Sequence, residues 1–271
     1  MDIGIRGEED IRELAESVKR VQIMGQLCSV VPTDVTLISQ PGSELETIIS
    51  EIPDPLVDPR FTLSYGLTSS YGCLHQICDL FNPQHTTFPV VLQTLLRTAL
   101  LGSSRIVYML GPEDHDERLR NTTVVLAQEG ASLIRAYDAF SKFEVLHHLV
   151  PPPHIISEQK ARYAGIGIKR APGEASTLKE MAEVVARRLE LSGSEYDDSL
   201  SEHVAWLFNT LSGVAHGFGW PNLVPGTESM SGHYISDFSR TTAIGVIAAD
   251  LILRRGGIES PGPKADSSRR G

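Results

Sequence analysis

Apolar residues recur at spacings of three and four along most of this chain. In residues 8–28 the apolar positions are Ile11, Leu14, Ala15, Val18 and Val21, and Glu, Lys and Arg fill the positions between them. This spacing places the apolar side chains on one face of a helix. The same pattern predicts further helices over 61–81, 88–110, 112–149, 155–168, 176–191, 200–216 and 234–255. No segment alternates convincingly with period two, so we predict an all-α protein.

Prolines and glycines divide this helical pattern. Ser43 is a typical N-cap residue and Glu44 and Glu46 suit a first turn, which predicts a short helix to about Ile52. Three prolines between 53 and 59 predict an extended linker. We therefore expect an N-terminal arm over residues 1–60, packed on the rest of the chain or on a partner. Residues 61–255 should form a helical bundle, and the Gly-, Ser- and Arg-rich residues 256–271 a disordered tail.

Composition narrows the classes of function. Hydrophobic residues make up 41% of the 271 residues, enough for a substantial core. The formal net charge is −10 and no long basic run is present, which argues against strong non-specific binding of nucleic acid. Aromatic residues are only 6% of the chain, which disfavours a stacking platform for single strands.

The sequence also bears on cellular location. The N-terminus is acidic and has no apolar stretch typical of a secretory signal. The longest apolar run, residues 243–253, contains Asp250 and is too short to span a bilayer. Cys28, Cys73 and Cys78 form no C-x-x-C pair and suit reduced thiols packed as small hydrophobic groups. We predict a cytoplasmic protein that does not enter a membrane.

The helix predicted over residues 200–216 carries the first candidate site residues. Its apolar stripe comprises Leu200, Val204, Leu207, Leu211, Val214 and Ala215. Asn209, Ser212 and His216 lie on another side, with His216 roughly 140° from the centre of the stripe. A histidine in the last turn followed by Gly217 suits a helix C-terminus. A partly exposed imidazole could equally act as general acid or base.

The helix predicted over residues 88–110 carries two arginines in an apolar context. Arg97 lies amid Leu95, Leu96 and Leu100, and Arg105 lies beside the same polar line, which Gln93, Ser104 and Tyr108 complete. Such an arginine must reach water or a carboxylate, and Glu129 and Asp250 are the predicted partners. The alternative is that Arg97 or Arg105 holds an anion such as a phosphate.

Short motifs connect these helices to a known superfamily. Residues Leu95 to Leu100, the pair Gly111-Pro112 with Glu117-Arg118, and the run from Leu211 to Gly217 resemble uncharacterised helical proteins of actinobacteria. Those proteins in turn resemble the HEPN superfamily of helical bundles from toxin–antitoxin and antiviral systems. The resemblance covers roughly residues 88 to 255.

The resemblance implies two functions and a mode of assembly. HEPN ribonucleases pair an Arg with a His four to six residues later, at a dimer interface and without metal. Here His216 matches the histidine, while Asn209 or Thr210 stands where the arginine belongs, and Arg97 or Arg105 could supply the phosphate clamp from another helix. We expect a HEPN-like binding or regulatory component of a defence or stress system, and keep a metal-independent ribonuclease and a structural dimerisation module as alternatives. A homodimer is expected, with RNA or a protein as further partner.

Metal and cofactor motifs are weak. Glu144 and His147 have the spacing of one half of a di-iron site, but no second E-x-x-H motif accompanies them. His147, His148 and His154 could chelate a metal only across a triple proline. We therefore predict no cofactor.

Overall fold

The structure, a computed structural model, is helical throughout its described part. It describes residues 7–81, 89–140, 142–145, 148, 150–165, 174–191, 200–217 and 230–259. These residues form nine α-helices and one short 3-10 helix, with no β-strand among them, which confirms the all-α prediction. The helices are α1 (Glu8–Cys28), α2 (Glu44–Glu51), α3 (Pro59–Leu80), α4 (Pro89–Leu110), α5 (His115–Phe140), α6 (Pro153–Gly165), α7 (Glu174–Leu191), α8 (Leu200–Ala215) and α9 (Met230–Gly256), and the 3-10 helix is Val35–Ile38.

Helix α4 is the central element of the bundle. It packs against α3, α5, α7, α8 and α9. Leu96, Ala99 and Leu100 are at most 1% exposed, because neighbouring helices cover α4 on several sides. Within the described residues, only the Val90–Leu110 part of α4 is long and apolar enough to cross a membrane, and half of that window is buried inside the bundle. The apolar composition of α4 is explained by its position in the core of the bundle.

Residues predicted to form the N-terminal arm pack against the other helices. Helix α1 lies along α9 and α3, and its Val21 and Met24 belong to the same buried cluster as Leu96 of α4. Ser43 caps α2 as predicted, since its hydroxyl accepts a hydrogen bond from the Glu46 amide at 3.2 Å. Burial of the apolar face of α1 therefore contributes to the main core.

The prediction of one helix from residue 112 to 149 is wrong at both ends. Helix α5 starts at His115 because the Asp114 carboxylate accepts a hydrogen bond from the Glu117 amide at 2.8 Å. Pro112 precedes the helix, and its carbonyl accepts a hydrogen bond from the buried Arg118 at 2.7 Å. The helix ends at Phe140, beyond which Phe143 and Val145 are exposed. Because Phe143 and Val145 stay exposed, their burial cannot stabilise further turns of α5.

Smaller differences occur at α6 and α9. Helix α6 starts at Pro153 rather than at residue 155, because Pro153 takes the first helical position and the Pro152 carbonyl accepts from the amides of residues 155 and 156. Its predicted end at residue 168 lies outside the described residues. Helix α9 starts at Met230, four residues before the predicted start. It ends in a Schellman motif, in which Gly257 has φ +71° and the Ile258 amide donates to the Leu253 carbonyl at 2.8 Å. Most of the predicted tail lies outside the described residues.

Candidate functional site

His216 lies at the C-terminal end of α8 and is exposed. Its amide donates to the Ser212 carbonyl at 3.1 Å, and Gly217 follows with φ +74°. On the opposite side Val204, Leu207 and Leu211 are at most 6% exposed. The prediction that the imidazole points away from the apolar stripe is therefore confirmed. Its position matches the predicted helix end with a left-handed glycine.

Asn209 is also exposed on α8. Its side-chain amide donates to the Ala205 carbonyl of its own helix at 3.0 Å. This contact uses one of the two donors of the amide within the helix.

Arg97 of α4 lies against an aromatic ring of α8. Its guanidinium carbon is 5.2 Å from the centroid of the Phe208 ring, a distance at which a cation is attracted to the ring face. Its Nε is buried and has no hydrogen-bond partner among the described residues. The two predicted carboxylate partners are engaged elsewhere, Glu129 with Arg105 and Asp250 with Arg254.

Arg105 forms an ion pair with Glu129, which is one of the two carboxylates that the sequence suggested as partners. Its Nη1 lies 2.5 Å from Oε1 of Glu129, which joins α4 to α5. Both side chains are only partly exposed, at 21% and 32%. The other polar positions of that line, Gln93, Ser104 and Tyr108, are buried. Arg97 and Arg105 thus remain the cations of α4 that reach the surface.

Both arginines line one cleft between α3 and α4, closed at one side by α5. The cleft, here called the α3–α4 cleft, has a volume of about 160 Å³. Each helix contributes five residues at the same spacing, and α5 contributes Glu129. The residues are Phe61, Thr62, Tyr65, Gly66 and Ser69 of α3, and Arg97, Thr98, Leu101, Gly102 and Arg105 of α4.

Two glycines form the close contact at the floor of the cleft. A Cβ added to Gly102 would lie 2.7 Å from the Gly66 carbonyl oxygen, and one added to Gly66 would lie 3.3 Å from the Gly102 carbonyl oxygen. Ser70 Oγ donates to the Ala99 carbonyl at 3.0 Å beside this contact. The close approach of the two backbones leaves the longer side chains at 61, 65, 97 and 105 as the walls.

The walls on the α3 side are aromatic. The side chains of Phe61 and Tyr65 are 55% and 68% exposed. Their rings are nearly parallel, at an angle of 11° with centroids 6.1 Å apart. Large apolar side chains exposed singly are ordinary, whereas two adjacent exposed rings that share a cleft with two arginines mark a surface suited to binding.

The structure therefore groups the predicted residues into two places. Arg97 and Arg105 share the α3–α4 cleft, whereas His216 and Asn209 of α8 do not line it. Phe208, which contacts Arg97, precedes His216 by eight residues, or about 12 Å along a helix. A ribonuclease site that combines His216 with Arg97 stays a prediction.

Comparison with protein-family models, with curated proteins and with solved structures found no match to this chain. The chemistry of the site therefore has to be argued from the residues of this chain.

Metal and thiol chemistry find little support in the described residues. No group of three or more His, Cys, Asp or Glu side chains is arranged there to hold a metal ion. His147 of the predicted E-x-x-H motif lies outside the described residues. All three cysteines are free, and burial raises the pKa of Cys28 to about 12 and that of Cys78 to about 11. These thiols are protonated at neutral pH, as expected for packing residues.

Sequence reasoning missed Phe61, Tyr65 and the glycine contact. The i, i+4 spacing of two aromatic residues was visible in the sequence, but their exposure depends on which face of α3 meets α4. An isolated glycine such as Gly66 counts against a helix by local rules, although here it serves the close approach to Gly102.

Proposed function

We propose that this chain is a non-catalytic binding protein that holds a phosphate-bearing ligand in the α3–α4 cleft. The observation that supports this proposal is the environment of the Arg97 guanidinium group. Its partly buried guanidinium lines the cleft, it rests on the Phe208 ring, and no carboxylate pairs with it in the described part of the chain. An arginine held in this way is pre-organised for an anion, and phosphate suits its planar set of donors.

The charge of the cleft supports an anionic ligand. Two arginines and one glutamate line it, which leaves a formal charge of +1 on a protein whose net charge is −10. Arg105 is already matched by Glu129, so the unmatched charge is that of Arg97. Because the cleft is partly closed, its electrostatic attraction is screened less than that of an exposed surface cation.

The arrangement favours binding over reaction. The hydroxyl groups of Ser69 and Thr98 donate to backbone carbonyls of their own helices at 2.6 and 3.1 Å. The single carboxylate that lines the cleft is held by Arg105, and no histidine or cysteine is among the described lining residues. General acid–base chemistry needs a positioned group that is free to take or give a proton, and among the described lining residues only the exposed phenol of Tyr65 has such a group.

The broader role follows from the resemblance. A HEPN-like binding protein of this kind would act as a regulatory component of a defence or stress system, with a homodimer as its working form and RNA or a protein as partner. The match of His216 and of the motifs between residues 88 and 255 is what supports this part of the proposal.

Thermal unfolding in rising concentrations of inorganic phosphate tests the anion site. A ligand that binds only the folded state raises the free energy of unfolding by RT ln(1 + [L]/Kd), and the melting temperature rises with it. Because phosphate stabilises folded proteins in general, we expect it to stabilise the wild-type chain more than the Arg97→Gln variant. Arg254→Gln is the matched control, because Arg254 is an exposed arginine paired with Asp250 away from the cleft. Equal stabilisation of the two variants would overturn the proposal.

A further inference from the structure

The aromatic wall of the α3–α4 cleft indicates what the ligand carries besides its anion. Phe61 and Tyr65 lie one turn apart on α3, and their nearly parallel rings are exposed to solvent. Because more than half of the surface of each residue is exposed, the pair does not serve the core. A flat, exposed aromatic surface beside a cation is suited to stacking with a planar ring of a ligand.

The register of the two helices places this wall relative to Arg97. Gly66 meets Gly102 and Ser70 bonds to Ala99, so residue numbers rise along α3 as they fall along α4. In this antiparallel register Arg97 lies opposite the turn that follows Ser69. Tyr65 is then about 9 Å away along the helix axis, given a rise of 1.5 Å per residue. The cation and the nearest ring thus stand at two separated points of one cleft.

The polar groups between and around these points complete the pattern. Ser69 and Thr98 each keep acceptor capacity, because their hydroxyls donate only to backbone carbonyls. At the ring end, the Arg105–Glu129 pair sets a donor beside an acceptor. Hydroxyl groups suit a sugar, and a donor beside an acceptor suits the edge of a heterocyclic base.

We propose that the ligand of the α3–α4 cleft is a nucleoside monophosphate, with its phosphate on Arg97 and its base against Tyr65 and Phe61. This inference rests on the proposed function, because it needs the phosphate site at Arg97. A phosphate and a flat ring joined through a sugar match the order of groups along the cleft, which runs from cation through hydroxyls to aromatic wall.

Size and charge favour a single nucleotide over a nucleic-acid strand. The cleft has a volume of about 160 Å³, which is too small to enclose more than part of one nucleotide, so a strand would gain no further contacts inside it. Binding of a strand is driven by many cations that neutralise successive phosphates. The cleft has one unmatched cation, and the whole chain carries ten more negative than positive formal charges.

Calorimetric titration of the full chain with adenosine monophosphate and its two halves tests the inference. The halves are ribose 5-phosphate, which lacks the base, and adenosine, which lacks the phosphate. We expect the nucleotide to bind at least about tenfold more tightly than either half, since stacking of one base on aromatic side chains contributes an effect of that size. We also expect a short oligoadenylate to bind no more tightly than the monophosphate at equal salt.

Variants of the aromatic wall separate stacking from the phosphate site. Tyr65→Ala combined with Phe61→Ala should lower nucleotide affinity to that of ribose 5-phosphate and leave the affinity for ribose 5-phosphate unchanged. Tyr65→Trp should retain nucleotide binding, because it keeps a stacking ring. Phe143→Ala is the matched control, since Phe143 is an aromatic side chain of similar exposure, 51%, outside the cleft.

The outcomes distinguish this inference from the proposed function. If ribose 5-phosphate binds as tightly as the nucleotide, or if the double variant weakens both equally, the base does not stack here and the inference is overturned while the phosphate site stands. If the oligoadenylate binds far more tightly than the monophosphate, a strand is the ligand and the inference is again overturned. If neither phosphate compound binds the wild-type chain, both proposals fail.

Discussion

The guanidinium of Arg97 lies over the ring of Phe208, with 5.2 Å between its carbon and the ring centroid. Phe208 is itself only 4% exposed, so the ring is a fixed surface rather than a mobile one. This contact links α8 to the α3–α4 cleft and limits the positions that the Arg97 side chain can take. A cation held in one place loses less conformational freedom when it binds an anion.

Replacing the ring beneath Arg97 should weaken phosphate binding without unfolding the chain. Phe208→Leu keeps a large apolar side chain in the core but removes the cation–π contact, which is worth about 0.5–2 kcal/mol. We expect phosphate affinity to fall by about twofold to thirtyfold, as measured by calorimetry. Phe238→Leu is the control, because Phe238 is fully buried against Phe81. An equal loss of affinity in both variants would show a general effect of core repacking.

The glycine contact at the floor of the cleft should tolerate no side chain on α4. In Gly102→Ala the new methyl group would lie 2.7 Å from the Gly66 carbonyl oxygen and would also meet Ser70 Oγ. We expect the free energy of unfolding to fall by about 1–3 kcal/mol, as for other overpacked contacts. Denaturant titration measures it.

Gly72→Ala provides the opposite case on α3. A Cβ at Gly72 meets nothing within 4 Å, so alanine should stabilise the helix by about 0.5–1 kcal/mol. Destabilisation by both substitutions to the same extent would contradict the close contact between α3 and α4.

Asp237 should make the stability of the fold depend on pH. Burial raises the pKa of this carboxyl group to about 6, with Arg240 at 3.6 Å opposing the shift and Glu13 of α1 adding to it. In an unfolded chain the pKa is about 3.9. The folded state therefore holds this proton more tightly, and the contribution of Asp237 to the free energy of unfolding falls as pH rises from about 4 to 6.

Asp237→Asn removes this partly buried charge and should flatten this part of the pH profile. At pH 7 the variant should be more stable by about 1–3 kcal/mol, which is the equivalent of one to two pKa units. Denaturant titrations between pH 4 and 7 measure both effects. Asp250→Asn is the control on the same helix, since Asp250 forms a more exposed pair with Arg254. An unchanged profile for Asp237→Asn would show that another group sets the slope.

His216 should not support cleavage of RNA. It is exposed at the end of α8 and does not line the cleft that contains Arg97 and Arg105. In the presence of EDTA, we expect RNA incubated with wild-type protein and with His216→Ala to degrade at the same background rate. Cleavage that is lost in His216→Ala would instead favour a metal-independent ribonuclease.

Most of the helical architecture could be predicted from the sequence. The bounds of α1 follow from its apolar spacing, the start of α2 from Ser43, and the end of α8 from Gly217. These signals are local, since a cap or a periodic stripe acts within a few residues of its own position. The end of α5 was mispredicted, because apolar residues such as Phe143 and Val145 extend a helix only where another helix covers them.

The cleft could be predicted only in part. Arg97 and Arg105 were recognisable as cations in an apolar helix, and Glu129 as a partner, but the sequence did not say which arginine it pairs with. That choice depends on the rotation of α5 against α4. The aromatic wall was missed for the same reason, since the exposure of Tyr65 follows from the crossing of α3 and α4 at two glycines.

Calorimetric titration of phosphate into wild type, Arg97→Gln and Glu129→Gln tests the anion site most directly. The two substitutions change the charge of the cleft in opposite directions, because one removes its unmatched cation and the other removes the carboxylate that occupies Arg105. We expect binding to be lost in Arg97→Gln and strengthened by about threefold to tenfold in Glu129→Gln, a change of the size expected for one partly screened charge. Affinities that are equal in all three proteins, or that fall in both variants, would contradict a phosphate site in the α3–α4 cleft.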